Sequence, residues 1–124
     1  MFMTKILVVD DDAEIRELLH DLLTDEGFHV NVASDGKEAL DILKRNGGWV
    51  VLLDLMMPRM TGQEVIDRLK QDAHLLSNNK VILMSAGWRL ARDGHALKSD
   101  VVVAALPKPF EIDEVLKLLK QVAS

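Results

Sequence analysis

Cysteine is absent from the 124 residues, which excludes disulfides, thiolate metal sites and a cysteine nucleophile. Tyrosine is absent too, and of only three prolines two flank Lys108. Long apolar runs are missing. The N-terminal run, Ile6 to Val9 and its neighbours, is about five residues, too short for a secretory signal or a membrane span. A cytoplasmic protein without membrane contact is the expectation. Positive charge is in the minority: 15 Lys and Arg face 20 Asp and Glu, for a net charge of −5. That balance argues against nucleic acid as a direct partner, because phosphate contacts need Lys and Arg. What remains is ordinary for a soluble domain, with 48% hydrophobic and 28% charged residues. A single domain over residues 1–124 is expected. Such a chain can bury roughly two thirds of its surface.

The chain is organised around Val50-Val51-Leu52-Leu53-Asp54-Leu55-Met56-Met57-Pro58. A short, continuous apolar run reads as a strand buried on both faces. Asp54 then stands at the strand's carboxyl end. Pro58 resists further ladder pairing, because it has no N–H to donate. In open α/β sheets this rim is where ligands bind. Asp54 is therefore the first candidate for chemistry, and a plain loop cap is its alternative role.

The other elements follow in order. Lys5–Val9 is a β-branched strand that runs into Asp10-Asp11-Asp12. Asp12 is the expected N-cap of a helix with its apolar stripe on Ile15, Leu18, Leu19, Leu22 and Leu23, ended by Gly27. Phe28–Ala33 alternates as an edge strand does. Asp35 and Glu38 open a second helix carrying Ala39, Leu40 and Leu43, and Gly47-Gly48 ends it. Trp49–Leu53 is the third strand. Thr61 and Glu64 form a capping box for a helix with Val65, Ile66 and Leu69 inside. Ser77-Asn78-Asn79 reads as a loop and Lys80–Met84 as the fourth strand, ending at Ser85-Ala86-Gly87. A helix is expected over Trp88–Lys98 despite Gly94. Val101–Leu106 is the fifth strand, broken by Pro107-Lys108-Pro109. Ile112, Val115, Leu116, Leu119 and Val122 mark a closing helix. Strand and helix alternate five times, which predicts a doubly wound parallel sheet with helices on both faces.

In a parallel sheet the carboxyl ends of the strands share one rim. Asp10 and Asp11, Asp54, Ser85 and Lys108 all fall there. Each has an ordinary alternative. Asp10 to Asp12 suit a helix start, Ser85 could cap the next helix, and Lys108 could be a solvated lysine. Their joint placement points to chemistry. Clustered carboxylates repel, and a hard divalent cation such as Mg2+ relieves that repulsion through oxygen ligands. Lysine supplies a mobile positive charge for a phosphoryl oxygen. A carboxylate beside Mg2+ can attack phosphorus and form an aspartyl phosphate, with the metal and Lys108 stabilising the transferring charge. The residues alone suggest Mg2+-dependent phosphoryl transfer to Asp54.

With those pieces together, the chain resembles the receiver domain of two-component response regulators. The resemblance rests on Ile6-Leu7-Val8-Val9-Asp10-Asp11-Asp12, Leu53-Asp54-Leu55-Met56-Met57-Pro58, Met60-Thr61-Gly62, Ser85-Ala86 and Lys108-Pro109-Phe110, in order across nearly the whole chain. It implies a flavodoxin-like sheet of order 2-1-3-4-5, a fold for which a chemotaxis receiver is a standard example. It implies that Asp54 accepts a phosphoryl group from the phosphohistidine of a sensor histidine kinase or a histidine phosphotransfer protein. Asp11 would bind Mg2+, Asp10 would do so directly or through water, and the Met56 carbonyl would be a further ligand. Ser85 and the Ala86 amide would contact the phosphoryl oxygens, Lys108 would pair with them, and the Lys108–Pro109 bond would be cis. A downstream effector would read the face made by the helix at Trp88–Lys98, the fifth strand and the closing helix.

Some positions depart from the family pattern. Many receivers carry Tyr or Phe three places before the lysine, where this chain has Ala105. The usual aromatic switch cannot operate there, so activation is expected to travel through the loop after Ser85. The apolar stretch Val101–Leu106 reads as a core strand. Its alternative is an exposed edge for a homodimer or partner, with Arg89, Arg92 and Lys98 lining the same face. His20, His29, His74 and His95 have no metal-ligand spacing. Met56, Met57 and Met60 read as loop packing. Met56 and Gly87 occupy positions that tune phosphoryl lifetime in the family, and neither side chain can orient water. Three other readings stand beside the leading one. The chain could be the receiver of a longer regulator with an output domain. It could be a scaffold that is never phosphorylated. It could be a haloacid-dehalogenase-type phosphohydrolase using Asp10 and Asp12, although Glu14 and the lack of room for a cap speak against that.

Overall fold

The computed structural model describes residues 4–87, 90 and 101–123. Ten elements follow one another: β1 (Lys5–Val9), α1 (Ala13–Asp25), β2 (His29–Ala33), α2 (Gly36–Arg45), β3 (Trp49–Asp54), α3 (Gly62–Lys70), α4 (Ala73–Asn78), β4 (Lys80–Ala86), β5 (Val102–Lys108) and α5 (Ile112–Ala123). The helix expected over Trp88–Lys98 lies, but for Leu90, outside the described residues, and so do Trp88, Arg89, Arg92, His95 and Lys98.

Every strand pairing is parallel, and the sheet order is β2-β1-β3-β4-β5. Alternation along each strand then sorts side chains onto two faces. Leu7, Val9, Val51, Leu53, Val81 and Leu83 join one core, which α2, α3 and α4 cover with Leu40, Leu43, Val65, Ile66, Leu69 and Leu75. Ile6, Val8, Val50, Leu52, Ile82 and Met84 join the other, which α1 and α5 cover with Leu19, Leu23, Val115 and Leu119. A sheet wound on both faces is why β3 is buried at all six positions.

The helix starts follow their caps. The Asp12 carboxylate accepts from the N–H groups of Glu14 and Ile15, and Asp35 accepts from Glu38 N–H. Thr61 and Glu64 complete a reciprocal capping box. The Glu38 carboxylate reaches back instead to the Ser34 N–H and hydroxyl. Gly27, at φ +96°, takes the left-handed conformation that ends α1.

Three expectations are corrected. Ser77 and Asn78, expected in a loop with Asn79, instead close a short helix over residues 73–78: the Asp72 carboxylate caps it, and buried Asn79 ties its end to β3 through Trp49 N–H. Leu18 does not join the apolar stripe and is 53% exposed, because Leu19 and Leu23 face the sheet. The fifth strand runs on through Pro107 to Lys108, since β5 is an edge strand and Pro107 needs no ladder partner on its open side.

That strand also carries a bulge. Val81 pairs with Val102, but Ile82 pairs with Ala104, so Val103 is extra and stands 44% exposed. The bulge moves the strand from one face to the other. Val102 packs on the first core, whereas Ala104 and Leu106 join the second. The stretch Val101–Leu106 is thus an edge strand buried in part: Val101 and Leu106 are buried, and Val103 and Ala105 are exposed. It is apolar because it crosses between two cores.

Candidate functional site

The second core's rows of side chains end in polar groups at the carboxyl rim. Ile6 and Val8 lead to Asp10, Val50 and Leu52 lead to Asp54, and Ala104 and Leu106 lead to Lys108. Period-two alternation puts the three polar residues on the same face. For Lys108 this depends on the bulge at Val103, because an unbulged strand would turn Lys108 to the opposite face.

The result is a compact charge cluster. The Lys108 Nζ lies 2.7 Å from Asp10 Oδ2 and 3.6 Å from Asp54 Oδ2. The Asp10 carboxylate is fully buried and also accepts from Asp12 N–H at 2.9 Å. The Asp54 carboxylate accepts from Met56 N–H at 3.2 Å. Asp11 is exposed at the rim, and oxygens of Asp10, Asp11 and Asp54 all lie within 4.8 Å of one another. Burial pushes the Asp54 carboxyl up to about 6, with the Asp10 charge adding to the rise. Lys108 and the Met56 amide pull it back, and Asp11 adds a smaller upward push.

Among the described residues Lys108 alone pairs with this cluster, touching Asp10 and Asp54. An oxygen-only donor set with excess negative charge is what a hard divalent cation requires, so these residues fit Mg2+. Asp12 is not part of the set, because its carboxylate caps α1. That use of Asp12 removes the acid pair on which a dehalogenase-type reading depends.

The remaining predicted residues are placed as follows. Ser85 is buried near the end of β4, in register with Pro107, and Ala86 is in register with Lys108. Among the described residues no hydrogen bond joins the Ser85 hydroxyl to the acids or to Lys108. Met56 follows Asp54 by two residues, and its side chain is 54% exposed. It is not packed in the loop, whereas Met57 is buried and Met60 packs against the first core. Gly87 is exposed. The Lys108–Pro109 peptide is cis. Ala105 is exposed on β5 and lines a groove of about 290 Å³ with Leu106, Pro107, Glu114 and Leu118.

Two features of the site have no counterpart in the sequence reading. Gly62 seats α3 directly against the loop: a Cβ there would stand 2.6 Å from the Asp54 carbonyl oxygen and 2.8 Å from Leu55 Cα. Arg16 donates from Nη1 to the Asp10 carbonyl oxygen at 2.7 Å. A signal for the second exists in the sequence. The start of a helix disfavours a cation, so an arginine there calls for a tertiary partner.

Comparison with known proteins agrees with this geometry. The response regulator receiver domain family matches residues 6–120. The chain belongs to that family. The receiver domain is 40% identical to the transcriptional regulatory protein CpxR of Escherichia coli K12, covering 97% of this chain and 49% of CpxR. It is 36% identical to response regulator MprA of Mycobacterium sp. strain KMS, covering 94% of this chain and 49% of MprA. The chain thus spans about half the length of these curated relatives. Among solved structures it matches the chemotaxis response regulator CheY4 of Vibrio cholerae with a TM-score of 0.85 at 29% identity, covering 98% of this chain and 99% of that one. It matches Thermotoga maritima TrrA, in complex with Mg2+-BeF, with a TM-score of 0.82 at 32% identity, covering 97% and 99%. The receiver family consists of phosphoacceptors of two-component signalling that bind Mg2+ at an acidic pocket, and the acid cluster of this chain is consistent with both properties. Among the described residues no helix is long and apolar enough to cross a membrane.

Proposed function

We propose that Asp54 is the phosphoacceptor of this receiver domain and that a phosphohistidine of a sensor kinase or histidine phosphotransfer protein is the donor. The observation that carries the reading is the convergence of Asp10, Asp11 and Asp54 with Lys108 on one rim. An Asp54 oxygen attacks phosphorus, the N–P bond of the donor breaks, and its imidazole nitrogen keeps the electron pair. Lys108 lies close enough to Asp54 to follow the charge onto the phosphoryl oxygens. Ser85 and the Ala86 amide, at the end of the adjacent strand, are the further phosphoryl contacts in this reading. Asp10, Asp11, Asp54 and the Met56 carbonyl would hold Mg2+, which supplies charge neutralisation for the carboxylates and the incoming phosphoryl group. Apart from phosphoacceptance and slow loss of the phosphoryl group, no enzymatic turnover is assigned.

The output is a change in binding to a downstream effector at the face containing β5 and α5, in the cytoplasm, without direct nucleic-acid contact. Intact mass after incubation with Mg2+ and acetyl phosphate tests the core of this reading. One added phosphoryl group, absent with EDTA and absent in Asp54→Asn, supports it. An unchanged mass with both acetyl phosphate and a phosphohistidine donor overturns it.

A further inference from the structure

We propose that Arg16 is a positioning residue for the cation site, acting through the backbone that carries the two rim acids. The inference rests on the cation-binding reading above and extends it to a residue outside the acid cluster.

Every polar atom of Asp10 has a defined partner. Its N–H donates to the Ala33 carbonyl at 3.2 Å, one residue beyond the β1–β2 register. Its two carboxylate oxygens take Asp12 N–H and Lys108 Nζ. Its carbonyl oxygen, on the β2 side with its N–H, lies past the end of β1, where the pairing with β2 has stopped at Val9 and Ala33. Arg16 Nη1 fills that vacant donor position at 2.7 Å. A charged donor at this length makes a strong hydrogen bond.

The consequence falls on Asp11. The Asp10 carbonyl and the Asp11 N–H share one rigid peptide plane. Fixing the carbonyl therefore fixes the N-terminal peptide plane from which the Asp11 backbone, and with it the Asp11 side chain, is hung. Asp11 is exposed, and among the described residues nothing bonds its carboxylate. Asp10 and Asp54 are each held by side-chain or amide contacts of their own. Asp11 has only its backbone to aim it, and that backbone is held on one side by Arg16 and on the other by the bond from Asp12 N–H to Asp10.

Two roles for Arg16 predict opposite signs. As a mere positive charge beside the acids it repels a cation, so its removal would tighten Mg2+ binding. As a positioning residue it holds the ligand geometry, so its removal weakens Mg2+ binding. Loss of an outer partner of a metal ligand typically costs about 10- to 100-fold in affinity.

Isothermal titration of MgCl2 into the metal-free protein separates them. Arg16→Met keeps the stem and loses the donor, and its Kd is expected to rise about tenfold or more. Arg16→Lys keeps the charge and one donor without the fixed guanidinium plane, and its Kd falls between the two. Asp72→Ala removes the cap of the distant helix α4. It lowers fold stability by a comparable amount and leaves the Kd unchanged, so a merely structural effect is excluded. Circular dichroism and melting in EDTA establish that each variant is folded. An unchanged or tighter Kd in folded Arg16→Met overturns the inference while leaving the acid cluster's role intact. A wild-type chain that binds no more Mg2+ than Asp11→Asn overturns both.

Discussion

Asp54→Asn should make the metal-free protein more stable at neutral pH, although it removes the central acid of the site. Burial and the Asp10 charge raise the Asp54 carboxyl from 3.8 to about 6. At 1.36 kcal/mol for each tenfold change in proton affinity, keeping it ionised at pH 7.5 costs the fold about 3 kcal/mol. Asparagine escapes that cost and still accepts from Met56 N–H. That figure already includes the pull of Lys108 at 3.6 Å, and the substituted amide offsets part of the gain through its own desolvation. The net expectation is a gain of about 1–2 kcal/mol, or roughly 5 °C in Tm for a domain of this size.

The sign with pH follows from linkage. The folded state binds the Asp54 proton more tightly than the unfolded chain does. Stability from this group is therefore complete below pH 3.8 and is lost as pH rises through about 6. The advantage of Asp54→Asn over wild type should be smallest near pH 3, partly developed by pH 4.5 and full by pH 7.5. Urea unfolding in EDTA at several pH values reads it directly. A pH-independent difference, or an asparagine variant less stable than wild type at pH 7.5, would refute the reasoning.

Three further perturbations probe the frame around the acid. Lys108→Met leaves buried Asp10 without its ion pair and should cost about 2–3 kcal/mol, discounted because Lys108 is partly exposed; a neutral substitution at pH 7.5 would mean that the pair contributes nothing. Gly62→Ala forces a Cβ against the Asp54 carbonyl and Leu55 Cα, and should cost about 1–3 kcal/mol in thermal unfolding while reducing phosphoryl incorporation at Asp54, whereas wild-type behaviour would show that the loop yields freely. Arg59 sits at φ 67° and makes a 3.3 Å ion pair with Asp35 from an exposed position. Arg59→Ala loses the pair and keeps the unfavourable conformation, so Arg59→Gly should be the more stable of the two by about 1 kcal/mol, and the opposite order would sink this account.

Most of the architecture is legible in the residues because local signals agree with the tertiary outcome. Asp12, Asp35 and Thr61 each cap the helix that the pattern places after them. The all-apolar β3 reads as a central strand because it is buried on both faces. Legibility fails where two structures share one composition. Residues 73–78 are too short for periodicity to separate a helix from a loop. Val101–Leu106 has no glycine or polar residue to mark the bulge, so an apolar run that changes faces looks the same as one that does not. The site follows the same division. Asp10, Asp54 and Lys108 are predictable as strand ends on one rim. Arg16 acts on a backbone atom, and no spacing in the sequence reports which carbonyl at a strand end lacks a ladder partner.

The geometry also shows why such a site is poised to react. Asp10 and Asp54 end rows of side chains whose earlier members are Ile, Val and Leu, so the fold draws both carboxylates out of water along with the core. Desolvation and mutual repulsion both disfavour charge there, and among the described residues only Lys108 forms an ion pair with these acids, whose oxygens lie within 4.8 Å of one another. The two packed cores hold the residues together against that repulsion. A divalent cation relieves it by adding positive charge. Adding a phosphoryl group to Asp54 turns one buried carboxylate into an acyl phosphate whose charge lies on oxygens farther out, where Lys108 can follow it. The apolar residues beneath the rim thus raise the energy of the resting site, and in the proposed function a bound cation would lower it.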